Sequence, residues 1–229
     1  MTKEEYFGDW LLVLPKQEME EAINKIKHIK DKICPHYNNI FKAFHKCPYN
    51  KLRLVILGQD PYPQPNKATG LAFANYNDTP ENLLSESLQV IKESVINYEI
   101  PHNLLIFASE LEEWAAQGVL LINTALTCEV NKPESHSLIW RPFITKLLCN
   151  ICEHNPGTVF LLLGNRAQSY EPYLKNQYII KARHPAYYAI NNIKFPYHIW
   201  HQINQILKGI YGYGINFYKE ELYEDNLCN

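Results

Sequence analysis

Residues 53–63 read Arg53-Leu54-Val55-Ile56-Leu57-Gly58-Gln59-Asp60-Pro61-Tyr62-Pro63. The first five residues are mostly branched and apolar, too few for a helix, and do not alternate with polar residues. A strand buried on both faces has this pattern. It stops at Gly58 and gives way to two polar residues and two prolines. Glycine permits an unusual turn, and each proline fixes φ and removes a donor. The loop is therefore stiff. It reads either as a strand-ending turn in which Asp60 caps nearby backbone, or as an active-site element with N–H groups aimed at one spot.

Three further runs share the pattern: Val119–Ile122, Thr158–Leu163 and Tyr178–Lys181. Helical periodicity lies between and before them, at Glu18–Ile33, Leu83–Ile96, Pro142–Cys152 and Ala167–Leu174. Cys34-Pro35 closes the first of these helices. Alternating strands and helices predict an α/β fold, a three-layer sandwich with a mostly parallel four-stranded central sheet flanked by helices. One domain spanning residues 1–229 is expected, since the length suits a single core.

In open parallel sheets, ligands sit at the carboxyl ends of the strands. Those ends carry Asp60, Asn123 and His184, so the three are expected at one edge. Each has an ordinary alternative. Asn123 offers a donor and an acceptor to a planar edge, or bonds to its own loop. His184 exchanges or donates a proton, or is a satisfied structural histidine. Phe73 is a stacking platform or a core residue. Lys67, Arg141, Arg166, Lys181 and Arg183 are phosphate contacts or solvated surface charges. Together the set suits a flat, amide-bearing ring held by stacking and an asparagine, near an acid and a histidine. A nucleobase has that chemistry.

Bulk composition is neutral on this point. The formal net charge is −2, so bulk attraction to nucleic acid is not indicated. A local groove can still be basic. The 16 tyrosines suit wet binding surfaces as well as cores. Six cysteines (Cys34, Cys47, Cys128, Cys149, Cys152, Cys228) show no disulfide framework. Cys149-x-x-Cys152 lacks two further ligands at suitable spacing, so structural thiols are expected and no metal. The N-terminus does not read as a signal peptide, and no apolar run approaches the ~20 residues of a membrane span. A cytoplasmic protein is expected, or a nuclear one in a eukaryotic host.

From about Lys51 to about Asn204 the chain resembles the family-1 uracil-DNA glycosylases. VILGQDPYPQPNKATGLAFA (residues 55–74) is similar to the family's water-activating motif and the stacking strand after it. GVLLINTALT resembles the uracil-reading motif, SHSLIW with Trp140 the segment after it, and LLLGNRAQ the third strand and its turn. RHPAYYA occupies the place of the His-Pro DNA-intercalation loop.

The resemblance implies removal of uracil from DNA by hydrolysis of its N-glycosidic bond after the base is flipped out, leaving an abasic site for base excision repair. It implies that Asp60 positions the water and offsets charge on the sugar. Tyr62 blocks a thymine methyl, Phe73 stacks on uracil, Asn123 reads its edge, and Gln59 supplies backbone to the same pocket. His184 donates, as a neutral ring, to the departing base. DNA contacts are implied at Pro80, Ser135, His136, Pro185, Ala186, Tyr187 and Tyr188. No cofactor or metal is implied. The expected partners are uracil-containing DNA, single- or double-stranded, and a DNA-mimicking inhibitor protein; a monomer is expected.

The chain departs from the family pattern at Pro63, where a histidine is usual. It departs again at Ala186-Tyr187-Tyr188-Ala189, where serines and a leucine wedge are usual, with Tyr188 at the wedge position. Asp78 and Glu81 stand in the segment of the DNA-clamping loop. These departures leave two other readings: a non-catalytic DNA-binding or replication-accessory protein on the same fold, and a glycosylase with another base preference.

Overall fold

A computed structural model describes residues 2–95, 105–175 and 177–220. Its central sheet has four strands: β1 (Leu54–Gly58), β2 (Val119–Asn123), β3 (Val159–Leu163) and β4 (Tyr178–Ala182). Their order is β2-β1-β3-β4 and every pairing is parallel. All residues of β1, β2 and β3 are buried, so both faces of these strands are covered by other elements. β2 and β4 are the two edge strands, and β4 exposes Tyr178 and Lys181 while burying Ile180 and Ala182. The three-layer α/β arrangement expected from the runs is present, and the sheet is parallel throughout.

Each strand sits within a residue of its expected bounds. β1 starts at Leu54, although the Arg53 backbone still bonds to both neighbours, its N–H donating to Gly118 O at 3.0 Å and its carbonyl accepting from Val159 N–H at 2.8 Å. The Arg53 guanidinium turns to the C-terminal segment. It donates to the Gln117 carbonyl at 2.6 Å and lies 4.3 Å from the Tyr213 ring centre.

The flanking helices differ more from expectation. The first amphipathic helix is α1 (Lys16–Ile26), which buries Met19, Ala22 and Ile26 on one face. The chain then tightens into 3₁₀ turns over Lys27–Lys32, kinked at Ile29. α2 (Glu86–Val95) covers part of the stretch expected to be helical; Ile96 lies outside the described residues. α3 (Ser137–His154) begins a turn before Pro142, which costs it one internal bond near its exposed start. Ala167–Leu174 is not one helix but α4 (Asn165–Gln168) followed by a 3₁₀ turn at Glu171–Tyr173. The last helices are α5 (Pro185–Ile190) and α6 (His198–Tyr211).

After α6 the chain returns to the core. Ile215 and Phe217 are buried, and the Trp114 indole donates to the Phe217 carbonyl at 2.9 Å. This portion of the C-terminal segment, which has no functional reading in the sequence, seals the core beside Trp114 and Trp200.

Because all four strands run in one direction, their carboxyl ends share an edge. Gln59, Thr124, Gly164 and Arg183 each follow directly from a strand there.

Candidate active site

The loops after β1 and β2 are bonded to each other. Thr124 N–H donates to the Gly58 carbonyl at 3.0 Å, and Ala125 N–H to the Gln59 carbonyl at 3.1 Å. The Thr124 hydroxyl donates to the same Gln59 carbonyl at 2.6 Å. Gly58 is needed for a close approach. A Cβ there would overlap the Asn123 amide oxygen and come within 2.9 Å of Phe73 Cζ.

Beyond this stitch lies a cavity of about 350 Å³. Gln59, Asp60, Tyr62, Phe73, Asn123 and His184 all line it, with Leu126 and Ala186 among the remaining walls. A pocket of this size holds a small planar ring. The structure thus brings to one cavity the six residues that the sequence reading expects to be catalytic or base-binding.

Asn123 is 9% exposed, and its side-chain amide has no hydrogen-bond partner among the described residues. The amide instead opens on the cavity, where its donor and acceptor are both available. Phe73 is buried with φ +67°, a left-handed conformation rare for a bulky side chain and common at functional sites. Its ring lies 5.7 Å from that of His184. The Tyr62 hydroxyl is fixed at two points, to the Phe73 carbonyl at 3.0 Å and to Ser85 Oγ at 2.6 Å. Burial pushes its pKa up, so it stays a neutral phenol.

Asp60 is partly buried, and that burial holds its carboxyl above the usual carboxylate range. Its Oδ2 accepts from Glu134 N–H at 2.7 Å. His184 caps the start of α5, and its Nδ1 accepts from Ala186 N–H at 3.2 Å. An accepting Nδ1 carries no proton, so the neutral ring bears its proton on Nε2. Burial lowers the His184 pKa and favours the same neutral form. The cavity therefore faces a carboxylate, a neutral N–H donor, an open amide and an aromatic ring. That combination can hold a flat base and stabilise opposite charges at its two ends.

A groove of about 960 Å³ adjoins the cavity and shares Gln59 and His184 with it. Arg141, Arg166 and Arg183 line this groove together with Tyr170 and Tyr187, and among the described residues no acidic one lines it. Arg141 stacks 5.3 Å from the Tyr170 ring and Arg183 4.2 Å from the Tyr187 ring. A basic groove exists despite the net charge of −2.

The residues expected to touch DNA are placed unevenly. Pro185 is buried at the start of α5, beside Ala186 on the cavity wall. Tyr187 is in the groove, but Tyr188 turns toward the core, with its ring 5.1 Å from buried Phe195. On the same helix, Ile190 is 76% exposed. Ser135 is exposed and accepts from Glu129 N–H at 2.8 Å. His136 is only 3% exposed, its Nδ1 2.8 Å from Thr127 Oγ1, which also accepts from the Trp140 indole. Pro80 is exposed, and the Glu81 beside it pairs with Lys92 at 2.6 Å. Pro63 is half-buried and its carbonyl accepts from Asn131 N–H at 2.8 Å.

Sequence reasoning missed Ser85, Gly164 and Glu134. Ser85 fixes Tyr62, and Gly164, at φ +91°, leaves room for the His184 backbone and Cβ. Glu134 holds Asp60. Only Gly164 left a local signal, a glycine at a strand end. Among the described residues no cluster of three His, Cys, Asp or Glu is arranged to hold a metal ion. Cys149 and Cys152 are half-buried free thiols. No helix of the described residues is long and apolar enough to cross a membrane.

Comparison with known proteins agrees with this geometry. The model of the uracil DNA glycosylase superfamily matches residues 44–208. A uracil-DNA glycosylase of Fusobacterium nucleatum is 33% identical over 214 residues, covering 89% of this chain and 92% of the relative. One from Coxiella burnetii is 38% identical over 173 residues, covering 74% and 73%. Among solved structures, mimivirus uracil-DNA glycosylase superposes with a TM-score of 0.71 at 22% identity, covering 95% of this chain and 93% of that one. A mimivirus variant in complex with UGI gives a TM-score of 0.77 at 23% identity, covering 95% and 88%. These two likenesses concern the fold. The family match over most of the chain, and the bacterial relatives over a similar span, show that this chain belongs to the uracil DNA glycosylase superfamily.

Proposed function

We propose that the cavity excises uracil from DNA with Asp60 and His184 as its catalytic pair. Uracil enters edge-on, its ring against Phe73 and its amide edge on Asn123. Tyr62 stands where a 5-methyl group would project, so thymine is refused. The ionised Asp60 carboxylate orients the attacking water and stabilises the positive charge that grows on the sugar. His184 Nε2–H donates to the base oxygen as negative charge develops on the departing uracil. Preorganised groups at both ends of a breaking bond lower its barrier, and removing one such donor costs ~10²–10³ in rate. Water completes the hydrolysis, leaving free uracil and an abasic sugar.

A base inside a duplex cannot reach a pocket of this kind, so the target nucleotide is flipped out of the stack. The basic groove carries the strand on either side of it. Arg141 and Arg183 supply charge, and their tyrosine partners supply stacking faces for neighbouring bases. The same charge pattern suits an acidic inhibitor that imitates DNA. The abasic product is the entry point of base excision repair, carried out in the compartment that holds the genome.

The observation that carries this reading is the convergence of Asp60, Tyr62, Phe73, Asn123 and His184 on one cavity. Uracil release from oligonucleotides with U·A, U·G, single-stranded U and T·G sites tests it. Release from the three uracil substrates and none from T·G is expected. Thymine release by the unaltered protein would remove Tyr62 from its assigned place.

A further inference from the structure

Asp60 is held by a residue whose own side chain is clamped from another strand end. Glu134 lies in the connection between β2 and α3, with φ +62°. That left-handed conformation is strained for a residue with a side chain. It aims the Glu134 N–H at Asp60 Oδ2, 2.7 Å away. The Glu134 carboxylate in turn accepts two bonds from Arg166 in α4, after β3: Nε to Oε1 at 2.8 Å and Nη2 to Oε2 at 2.7 Å. Segments following β1, β2 and β3 are thereby linked in one chain, Asp60–Glu134–Arg166.

We propose that Arg166 and Glu134 are a positioning pair that fixes the Asp60 carboxylate for attack, so that Arg166 acts on the rate through Glu134. This rests on the catalytic assignment of Asp60. A two-bond guanidinium–carboxylate fork fixes orientation as well as distance, which a single ammonium contact does not. Without the fork, the strained peptide at Glu134 can relax and turn its N–H away. Small displacements of a reacting group carry large rate penalties. The pair is largely solvent-exposed, and exposed pairs contribute little to global stability. Its loss is therefore expected in rate rather than in melting.

Charge points the same way. The charged and titratable groups that face Asp60 are Glu134, Arg166 and Cys128, with His184 on another wall of the cavity. Burial is the main upward push on the Asp60 pKa. The Glu134 charge adds to it and the Arg166 charge opposes it. Removing Arg166 leaves Glu134 uncompensated beside a carboxylate that must be ionised. The activity is present above the Asp60 pKa and lost as pH falls through it, so the acid limb then moves to higher pH.

The test is single-turnover uracil release at saturating single-stranded oligonucleotide, across pH, with KM and salt dependence measured in parallel. The variants are Arg166→Ala, Arg166→Lys, Glu134→Gln, the Arg166→Ala/Glu134→Gln double and Asp60→Asn. Arg166→Ala is expected to lower the saturating rate about tenfold and to shift the acid limb upward. Arg166→Lys is expected to return the limb but only part of the rate. Glu134→Gln moves the limb downward, and in that background Arg166→Ala loses most of its effect. A raised KM and a shallower salt dependence, with saturating rate and limb unchanged, would mean that Arg166 only contacts phosphate, and the proposal would be wrong. An undiminished rate in Asp60→Asn would instead remove the assignment on which the proposal rests, a failure distinguishable from the first.

Discussion

Gly58 and Asn123 are direct partners across the β1–β2 pairing, and the Asn123 amide oxygen occupies the space where a Gly58 side chain would begin. The reading amide is thus set by a strand register and by the absence of one carbon. Gly58→Ala is expected to push Asn123 and the Phe73 ring out of place. Overpacking of this kind costs about 1–3 kcal/mol, which a melting curve reports. Uracil release is expected to fall by about 10²-fold, since the cavity itself is displaced. A normal rate in Gly58→Ala would show that the Asn123 position is not critical.

Asp60 gives opposite predictions for activity and stability. Its folded pKa is raised by burial, so its ionised form is disfavoured in the folded protein. The sign follows: any stability tied to this group is greatest at low pH and declines as pH rises through the folded pKa. Asp60→Asn removes the buried charge and keeps an acceptor for Glu134 N–H. Its melting temperature at neutral pH is expected to equal or exceed that of the unaltered protein, while its rate falls by ~10²–10⁴. Calorimetry across pH, paired with the rate, checks both signs; a marked fall in melting temperature contradicts the burial account.

Tyr62 is fixed by two hydrogen bonds, to Phe73 O and to Ser85, so its ring is a rigid wall. Tyr62→Ala is expected to gain thymine release from T·G sites and to lose uracil rate. Ser85→Ala is expected to give a weaker form of the same leak. If neither variant releases thymine, methyl exclusion resides elsewhere.

α5 separates two aromatic and apolar candidates for filling the gap left by a flipped base. Tyr188 packs on Phe195, whereas Ile190 projects into solvent. Ile190→Ala is expected to lower excision from duplex DNA about tenfold more than from single strands, because only a duplex must be opened. Tyr188→Ala is expected to lower melting through lost packing. Equal effects of Ile190→Ala on both substrates would rule out its role as a wedge.

The sheet was legible because its strands are continuous apolar runs ending abruptly in Gly58, Asn123 and Arg183. A parallel sheet then requires those ends to meet, which is why the sequence alone groups Asp60, Asn123 and His184 at one edge. Helix ends were less legible. The pattern through Ile33 continues past Ile26 because half-buried Ile29 still packs against the core from the 3₁₀ turns and Ile33 is buried beyond them, and Pro142 marks the first turns of α3 rather than its first residue. The supports of the site were hidden for a different reason. Ser85 is 23 residues from Tyr62, Glu134 is 74 from Asp60, and Arg166 is 32 from Glu134. Local pattern holds no record of such pairings. The packing of half-buried Tyr188 on Phe195 was not legible either, because alignment with a wedge position says nothing about which way a helix turns its side chains.

The most direct measurement is the time course of free uracil liberated from a single-stranded, uracil-containing oligonucleotide by the purified protein, with Asp60→Asn at the same concentration. The geometry predicts steady uracil release by the unaltered chain, an abasic strand in equal amount, and loss of at least about 10²-fold in the variant. No uracil from the unaltered chain, or equal release by both, would contradict the assignment of this cavity as the site of base excision.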